Sequence, residues 1–427
     1  MSRYDDLWEE SSDFIYIPIC PDNGPYEGGI MQRFTQSFLG DLERELGRGL
    51  VASGGDDYRI HQNVVAMVAA EECGLATVEF RNMKWVSDMV AIHGFAGHVA
   101  DISAVKVVIF APWESGLISD DIIQNFYLQM QEATAFHTNV RVYPNREEKD
   151  AAGLKLTDIA TLLRIAKDPA TPTAFSHQPK TCLGRGECTM ANWSTKMVLK
   201  RNFSCGSRDV RVVDGSSESC WSLLACTGHK LKSDMTTKGN QKRSNGKNNN
   251  KKEGRKKKHN KEQKNRKEED KKEKDETCTW FHQEFIKKLK EWGEIRVFII
   301  RGRIIFRAYT RPVQGKEDSL YVRPLKESDF LRYSNDEEKR KDKWKELDEY
   351  CLYIYHALMK SSKQSFESAQ VGLRLDVGMT DKCCFFGLEP TRWYAADWFS
   401  GQLCGRDLTD IAQQYGKAFA EWLHRDC

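Results

Sequence analysis

Four groups of residues in this 427-residue chain have types and spacings that could do chemistry. Val198-Leu199-Lys200-Arg201 reads as a buried strand ending in a lysine, followed by the small-residue loop Ser204-Cys205-Gly206-Ser207. A lysine at a strand end beside exposed backbone N–H groups is a means of holding a polyphosphate. Gln283-Glu284-Phe285-Ile286 closes the run Thr279-Trp280-Phe281-His282. Apolar residues flanked there by acceptors and backbone groups suit the edge and face of an adenine. Gly293 to Ile300, followed by Arg301-Gly302-Arg303-Ile304-Ile305, is a hairpin of two β-rich runs around a glycine turn. Last, Leu373-Arg374-Leu375-Asp376-Val377 and Phe385 to Thr391 read as two strands that each present one carboxylate, Asp376 and Glu389. Paired carboxylates on neighbouring strands suit Mg²⁺ carrying nucleotide phosphates.

The elements that must position these groups follow from periodicity. Phe14 to Ile19, Thr77 to Phe80 and Lys106 to Phe110 read as strands. Between them, Gly29 to Leu50 has helical spacing (Met31, Phe34, Phe38, Leu42, Leu46), and Val64 to Ala70 reads as helix. Strands alternating with helices predict a parallel sheet. Lys155 to Lys167 is a helix with Leu156, Ile159, Leu162, Leu163 and Ile165 as its apolar residues, stopped by Pro169 and Pro172. Residues 337–360 and Leu408 to Leu423 read as two further helices. The expected fold is α/β (α+β): an N-terminal α/β domain at 1–140, a central subdomain at 141–229, a disordered basic insert at 230–276 and a C-terminal subdomain at 277–427.

The net charge of +3 hides a split. Residues 230–276 hold 19 Lys and Arg against 9 Asp and Glu, a net +10, while the rest of the chain carries −7. The insert is nearly free of apolar residues and cannot bury a core. Its run Arg255-Lys256-Lys257-Lys258 allows a nuclear-targeting or RNA-contact reading, but without aromatics it offers no stacking platform. The thirteen cysteines include no CxxC pair, and Cys182, Cys188, Cys205, Cys220 and Cys226 match no common zinc spacing. The acidic opening residues lead us to expect no signal peptide. No run approaches the roughly 18 apolar residues of a membrane span. A cytoplasmic protein without a membrane partner is the expectation.

Taken in order, the four groups resemble the ATP-grasp superfamily. That family has a lysine-bearing strand with a flexible glycine-rich loop, a QEF(I/V) hinge, an E-x-R-V-F strand, an R-x-D-V strand and an E-x-N strand. The matches are Lys200, the Gly206 loop, Glu284 to Ile286, Glu294 to Phe298, Arg374 to Val377 and Glu389, so the likeness spans roughly residues 145–400. Thr391 departs from it, standing where the family has Asn. The resemblance implies an ATP- and Mg²⁺-dependent ligase that joins a small-molecule carboxylate to an amine through an acyl phosphate. It implies phosphate contacts from Lys155 (or Lys149) and Lys200, with Ser204 and Gly206 in the loop. Glu284, Phe285 and Ile286 would hold the adenine, and Glu294 the ribose or the hairpin. Asp376 and Glu389, with Thr391 as a weaker ligand, would hold the metal. Arg296, Arg307, Arg374 and Arg392 are candidates for the carboxylate or the transferring phosphoryl group, both of which suit the guanidinium fork.

Two other readings stand beside this one. Asp5-Asp6-Leu7-Trp8-Glu9 is a DDxxE pattern, similar to the acidic signature associated with fungal arginine-containing cyclodipeptide synthases. That resemblance implies aminoacyl-tRNA as substrate, with Asp5, Asp6 and Glu9 binding a guanidinium or deprotonating an amine, and tRNA meeting the basic insert. The bland account of the same residues is an acidic helix start. The third reading is a nucleotide-binding assembly factor without ligase turnover, which the Thr391 departure fits.

Overall fold

Short apolar runs such as Lys-Val-Val-Ile-Phe (106–110) suit a parallel sheet covered on both faces. A computed structural model of the chain describes residues 14–20, 31–33, 52–54, 57–61, 77–78, 81–101, 106–110, 120–152, 155–183, 190, 196–201, 210–214, 280–313, 316–395 and 406–426. Contacts divide the chain into two compact units, residues 1–178 with 286–427, and residues 179–285.

The first unit opens with strands β1 (Phe14–Cys20), β2 (Met31–Arg33), β3 (Ala52–Gly54), β4 (Asp57–His61), β5 (Thr77–Val78) and β6 (Arg81–Asn82). Helices α1 (Met83–Ala91) and α2 (Phe95–Asp101) lead to β7 (Lys106–Phe110), α3 (Asp120–Thr134), β8 (Val140–Tyr143), α4 (Arg146–Ala152) and α5 (Lys155–Lys167). The expected parallel sheet is present, in the order β5-β1-β7-β8, with β6 also parallel to β1. Its core gathers Phe95, Val99, Val107, Ile109, Phe126, Met130 and Val140. The helix expected from Gly29 is corrected at its start: Met31–Arg33 is a strand, antiparallel to β4. A three-residue strand needs no periodicity of its own, because its backbone groups are satisfied by the neighbour. Residues 34–51 and the helix expected at Val64 lie outside the described residues.

The second unit is a sheet of β9 (Thr181–Cys182), β10 (Lys196–Arg201), β11 (Val210–Asp214) and β12 (Trp280–Glu284), antiparallel in the order β11-β10-β12-β9. Residues 230–276 lie outside the described residues.

The chain re-enters the first unit with α6 (Lys287–Trp292), the hairpin β13 (Glu294–Ile300) and β14 (Arg303–Val313), and β15 (Lys316–Pro324). Then come α7 (Glu337–Ser361), β16 (Gly372–Met379), β17 (Phe385–Arg392) and α8 (Arg406–Asp426). The strands form one antiparallel sheet, β15-β14-β13-β16-β17. Alternation divides its faces. Ile295, Val297, Ile299, Leu373, Leu375 and Val377 join Leu347, Tyr350, Cys351 and Ile354 of α7 and Leu162 and Ile165 of α5 in the main core. The opposite face carries Glu294, Arg296, Arg374 and Asp376. No helix among the described residues is long and apolar enough to cross a membrane.

Candidate functional site

The polar face of the five-stranded sheet begins at Gly293. Its φ of +81° leaves room for glycine alone, and a Cβ added there would stand only 2.2 Å from the Thr310 carbonyl oxygen. The turn it makes starts β13 at Glu294. Register then sets the neighbours. Arg296 lies across from Asp376, Asp376 across from Glu389, and Arg374 across from Thr391. Residues paired across strands share a face. Glu294, Arg296, Arg374, Asp376, Glu389 and Thr391 are therefore brought together.

Charges on this face pair within each strand. Glu294 accepts from Arg296 Nε and Nη2, each at 3.2 Å. On the adjoining strand β16, Arg374 Nε and Nη2 donate to the two oxygens of Asp376 at 2.7 and 2.8 Å, and Nη2 lies 3.4 Å from Thr391 Oγ1. Arg374 and Asp376 are both buried. Burial pushes the Glu294 carboxyl up, Arg296 draws it back down, and Asp376 adds a further push upward. Lys155, at the first turn of α5, places Nζ 3.5 Å from Glu389 Oε2. Lys149 sits one helix earlier, in α4. Thr310, across from Glu294, is fully buried, and its Oγ1 has no hydrogen-bond partner.

The remaining two arginines of the expected set face the other way. Arg307 lies across from core residue Val297, makes a two-point contact with Asp348 of α7 at 2.7 and 2.6 Å, and stacks on Trp344. Arg392 is one residue past Thr391 and so on the opposite side of β17. It pairs with Asp158 of α5 through Nη1, lies 3.6 Å from Glu148 of α4, and donates to the Ser365 carbonyl at 2.9 Å.

In the second unit Lys200 is near the end of β10, paired with buried Phe281. Its Nζ donates to Gln283 Oε1 at 2.9 Å, Gln283 Nε2 donates to Thr181 Oγ1 at 2.9 Å, and Thr181 donates to the Pro179 carbonyl. This chain of bonds runs across β10, β12 and β9. Glu284 exchanges bonds with Lys180, its N–H donating to the Lys180 carbonyl at 2.8 Å and its Oε2 accepting from the Lys180 N–H at 3.1 Å. Phe285 N–H donates to the Lys196 carbonyl. Ile286 caps α6 as the first residue back in the other unit. Ser204 and Gly206, and Asp5, Asp6 and Glu9, lie outside the described residues.

Thr310, Thr181, Asp158 and Glu148 were not singled out by sequence reasoning. For Asp158 a signal exists, since it shares a helical stripe with Leu162 and Ile165 and a carboxylate there must find a buried partner. For Thr310 the signal is its two-residue alternation with Ala308 on β14. The donor set, two carboxylates on adjoining strands and a hydroxyl, is the hard-oxygen chemistry that Mg²⁺ takes. Among the described residues no group of three or more His, Cys, Asp or Glu stands together as a metal cluster, so a metal here would depend on phosphate oxygens and water for its remaining ligands.

No family model matches this chain, and no curated protein matches it. Solved structures do resemble it over most of its length. D-cycloserine synthetase DcsG is similar at 12% identity, covering 96% of this chain and 99% of that one, with a TM-score of 0.44. D-alanine–D-alanine ligase from Bacillus anthracis, complexed with ATP, is similar at 9% identity, with coverage of 96% and 99% and a TM-score of 0.43. The ATP-grasp ligase PsnB, complexed with minimal precursor, Mg and ADP, is similar at 10% identity, with coverage of 95% and 99% and a TM-score of 0.39. At these values the likeness decides neither substrate nor reaction.

Proposed function

We propose that this chain is an ATP-dependent ligase of the ATP-grasp type, which activates a carboxylate as an acyl phosphate and passes it to an amine. The observation that carries the reading is the in-register row Arg296, Asp376 and Glu389. With the Arg374 fork and Lys155 beside it, the carboxylates Glu294, Asp376 and Glu389 meet cations on this row. The charges neutralise one another. Each pair can part when a ligand brings both signs: carboxylates turn to a cation, guanidinium and ammonium groups to phosphate.

Asp376 and Glu389, with the weaker oxygen of Thr391, would hold Mg²⁺, which when bound neutralises charge on phosphate oxygens. Lys155 and Lys200 serve as phosphate contacts, and Glu284, Phe285 and Ile286 hold the adenine. Arg296 and Arg374 take the substrate carboxylate or the transferring phosphoryl group. A carboxylate oxygen bonds to the γ-phosphorus as the bridging P–O bond breaks and ADP leaves. The amine then forms the C–N bond and phosphate departs. The arginines stabilise the equatorial charge of the first step. Arg307 and Arg392, each occupied by a carboxylate of a packed helix, serve the framework.

The test is ADP release from the purified chain with Mg-ATP, an amino-acid pool, and charged or uncharged tRNA, with product masses followed in parallel. ADP and an amide product formed without tRNA, both lost by about 100-fold or more in Asp376→Asn, support the ligase. Product that depends on intact aminoacyl-tRNA moves the assignment to Asp5, Asp6 and Glu9. Stoichiometric nucleotide binding without turnover moves it to the assembly factor.

A further inference from the structure

Helix α5 meets edge strand β17 at two points of unlike character. At its first turn Lys155 reaches Glu389 across 3.5 Å, with 22% and 39% of the two side chains exposed. One turn on, Asp158 pairs with Arg392, three residues past Glu389, and there the exposures are 5% and 3%. Ion pairs as exposed as the first hold geometry poorly, because solvent screens them and both side chains retain rotamer freedom. The second is held by several partners. Arg392 also donates to the Ser365 carbonyl, lies 4.4 Å from the Phe366 ring centroid, and faces Glu148. Glu148 in turn accepts from the Ser368 N–H at 3.0 Å. The helix approaches the strand closely, since a Cβ built at Gly387 would stand 3.2 Å from Leu162 Cδ2.

Burying such a network is a poor route to stability, because well-packed apolar side chains of similar volume serve as well or better. Asp158 Oδ1, buried and without a hydrogen-bond partner, shows that this one is not even fully satisfied. What the pair does supply is register: it fixes where the first turn of α5 stands along β17. We propose that Asp158 and Arg392 are positioning residues that set the Lys155 ammonium against Glu389, and through it the phosphate-binding geometry of the site. The inference rests on the nucleotide reading above and names residues which that reading leaves to the framework.

The experiment compares Mg-ATP affinity and thermal stability in three proteins. The first is wild type. The second carries Glu148→Gln, Asp158→Leu and Arg392→Met together, which removes the charges while keeping volume. The third adds Lys155→Met to that set. A merely structural role predicts that the apolar set, once folded, binds Mg-ATP like wild type. Positioning predicts a melting temperature at or near the wild-type value with affinity about tenfold weaker, the loss typical when groups behind the ligands are removed. It also predicts that Lys155→Met adds nothing further, since the lysine is already out of place. Wild-type affinity in the apolar set, or a full additional loss from Lys155→Met, overturns the inference and leaves the ligase reading intact. If the apolar set does not fold, Arg392→Lys takes its place: it keeps the charge and loses the fork, and unaltered Mg-ATP affinity in it overturns the inference equally. Failure of wild type to bind Mg-ATP overturns both readings.

Discussion

Two arginine–carboxylate clusters lie on opposite sides of the same sheet, and they differ in what they connect. Arg374 and Asp376 are two residues apart on β16, so their two-point pair lies within one strand, with Arg374 Nη2 also 3.4 Å from Thr391 Oγ1 on β17. Arg392 joins β17 to α5 through Asp158, to α4 through Glu148 and to the chain before β16 through Ser365. Both clusters are buried. The second joins a strand to two helices. A buried ion pair costs desolvation wherever it sits. On the proposed ligase reading the first cluster serves a ligand, whereas the second places helices.

The sharpest way to break this contrast is to remove each arginine. Arg392→Ala leaves two buried carboxylates around one vacated position and should cost about 3–5 kcal/mol in urea denaturation. Arg374→Ala should cost less, about 1–3 kcal/mol, because Arg296 lies across from Asp376 in register and can take it over. Equal losses would show that both clusters are framework.

A second measurement uses protons instead of mutations. Burial pushes Glu148 up to about 7 and Asp158 up to about 6, with Arg392 drawing both back. In the unfolded chain these carboxyls ionise near their ordinary 4.5 and 3.8. Between those limits the native state holds protons that the unfolded chain has released. Their contribution to stability is therefore complete at the acid end and is lost as pH rises through the native values. For Glu148 the full swing is about 3 kcal/mol. Glu148→Gln should flatten that part of the curve, so the stability difference between variant and wild type should grow from about pH 4 to about pH 7. A difference that stays constant with pH would place the proton elsewhere.

How far these clusters can be read from the sequence depends on parity. In β13 the alternation of Ile295, Val297 and Ile299 with Glu294, Arg296 and Phe298 assigns each residue its face, and the same count along β16 sets Arg374 and Asp376 together. It also separates Arg392 from Glu389 and Thr391, because an odd step along a strand changes sides. Arg307 is harder. A register shift at Phe298/Ile299 interrupts the pairing of β13 with β14, and an irregularity of that kind leaves no mark in composition. Helices α5, α7 and α8 agree closely with their apolar spacing, whereas β2 occupies a stretch whose periodicity resembles a helix. The partners of Arg392 escape notice for another reason. Glu148 and Asp158 are more than 200 residues away, and only the packing of α4 and α5 beside β17 reveals the connection.

The smallest expected effect comes from Lys155→Met, and it tests the contrast at its weakest contact. The lysine and Glu389 are both partly exposed, so losing the pair should change stability by less than about 1 kcal/mol. The methionine keeps most of the aliphatic stem against α5 and β17. If the ammonium serves phosphate, the Michaelis constant for ATP should rise several-fold while the unfolding midpoint stays in place. Such a split between affinity and stability would set Lys155 apart from Arg392, whose removal should first be felt in the fold. A drop in stability without any change in ATP dependence would instead make Lys155 part of the framework that Arg392 anchors, and the two sides of β17 would no longer differ in kind.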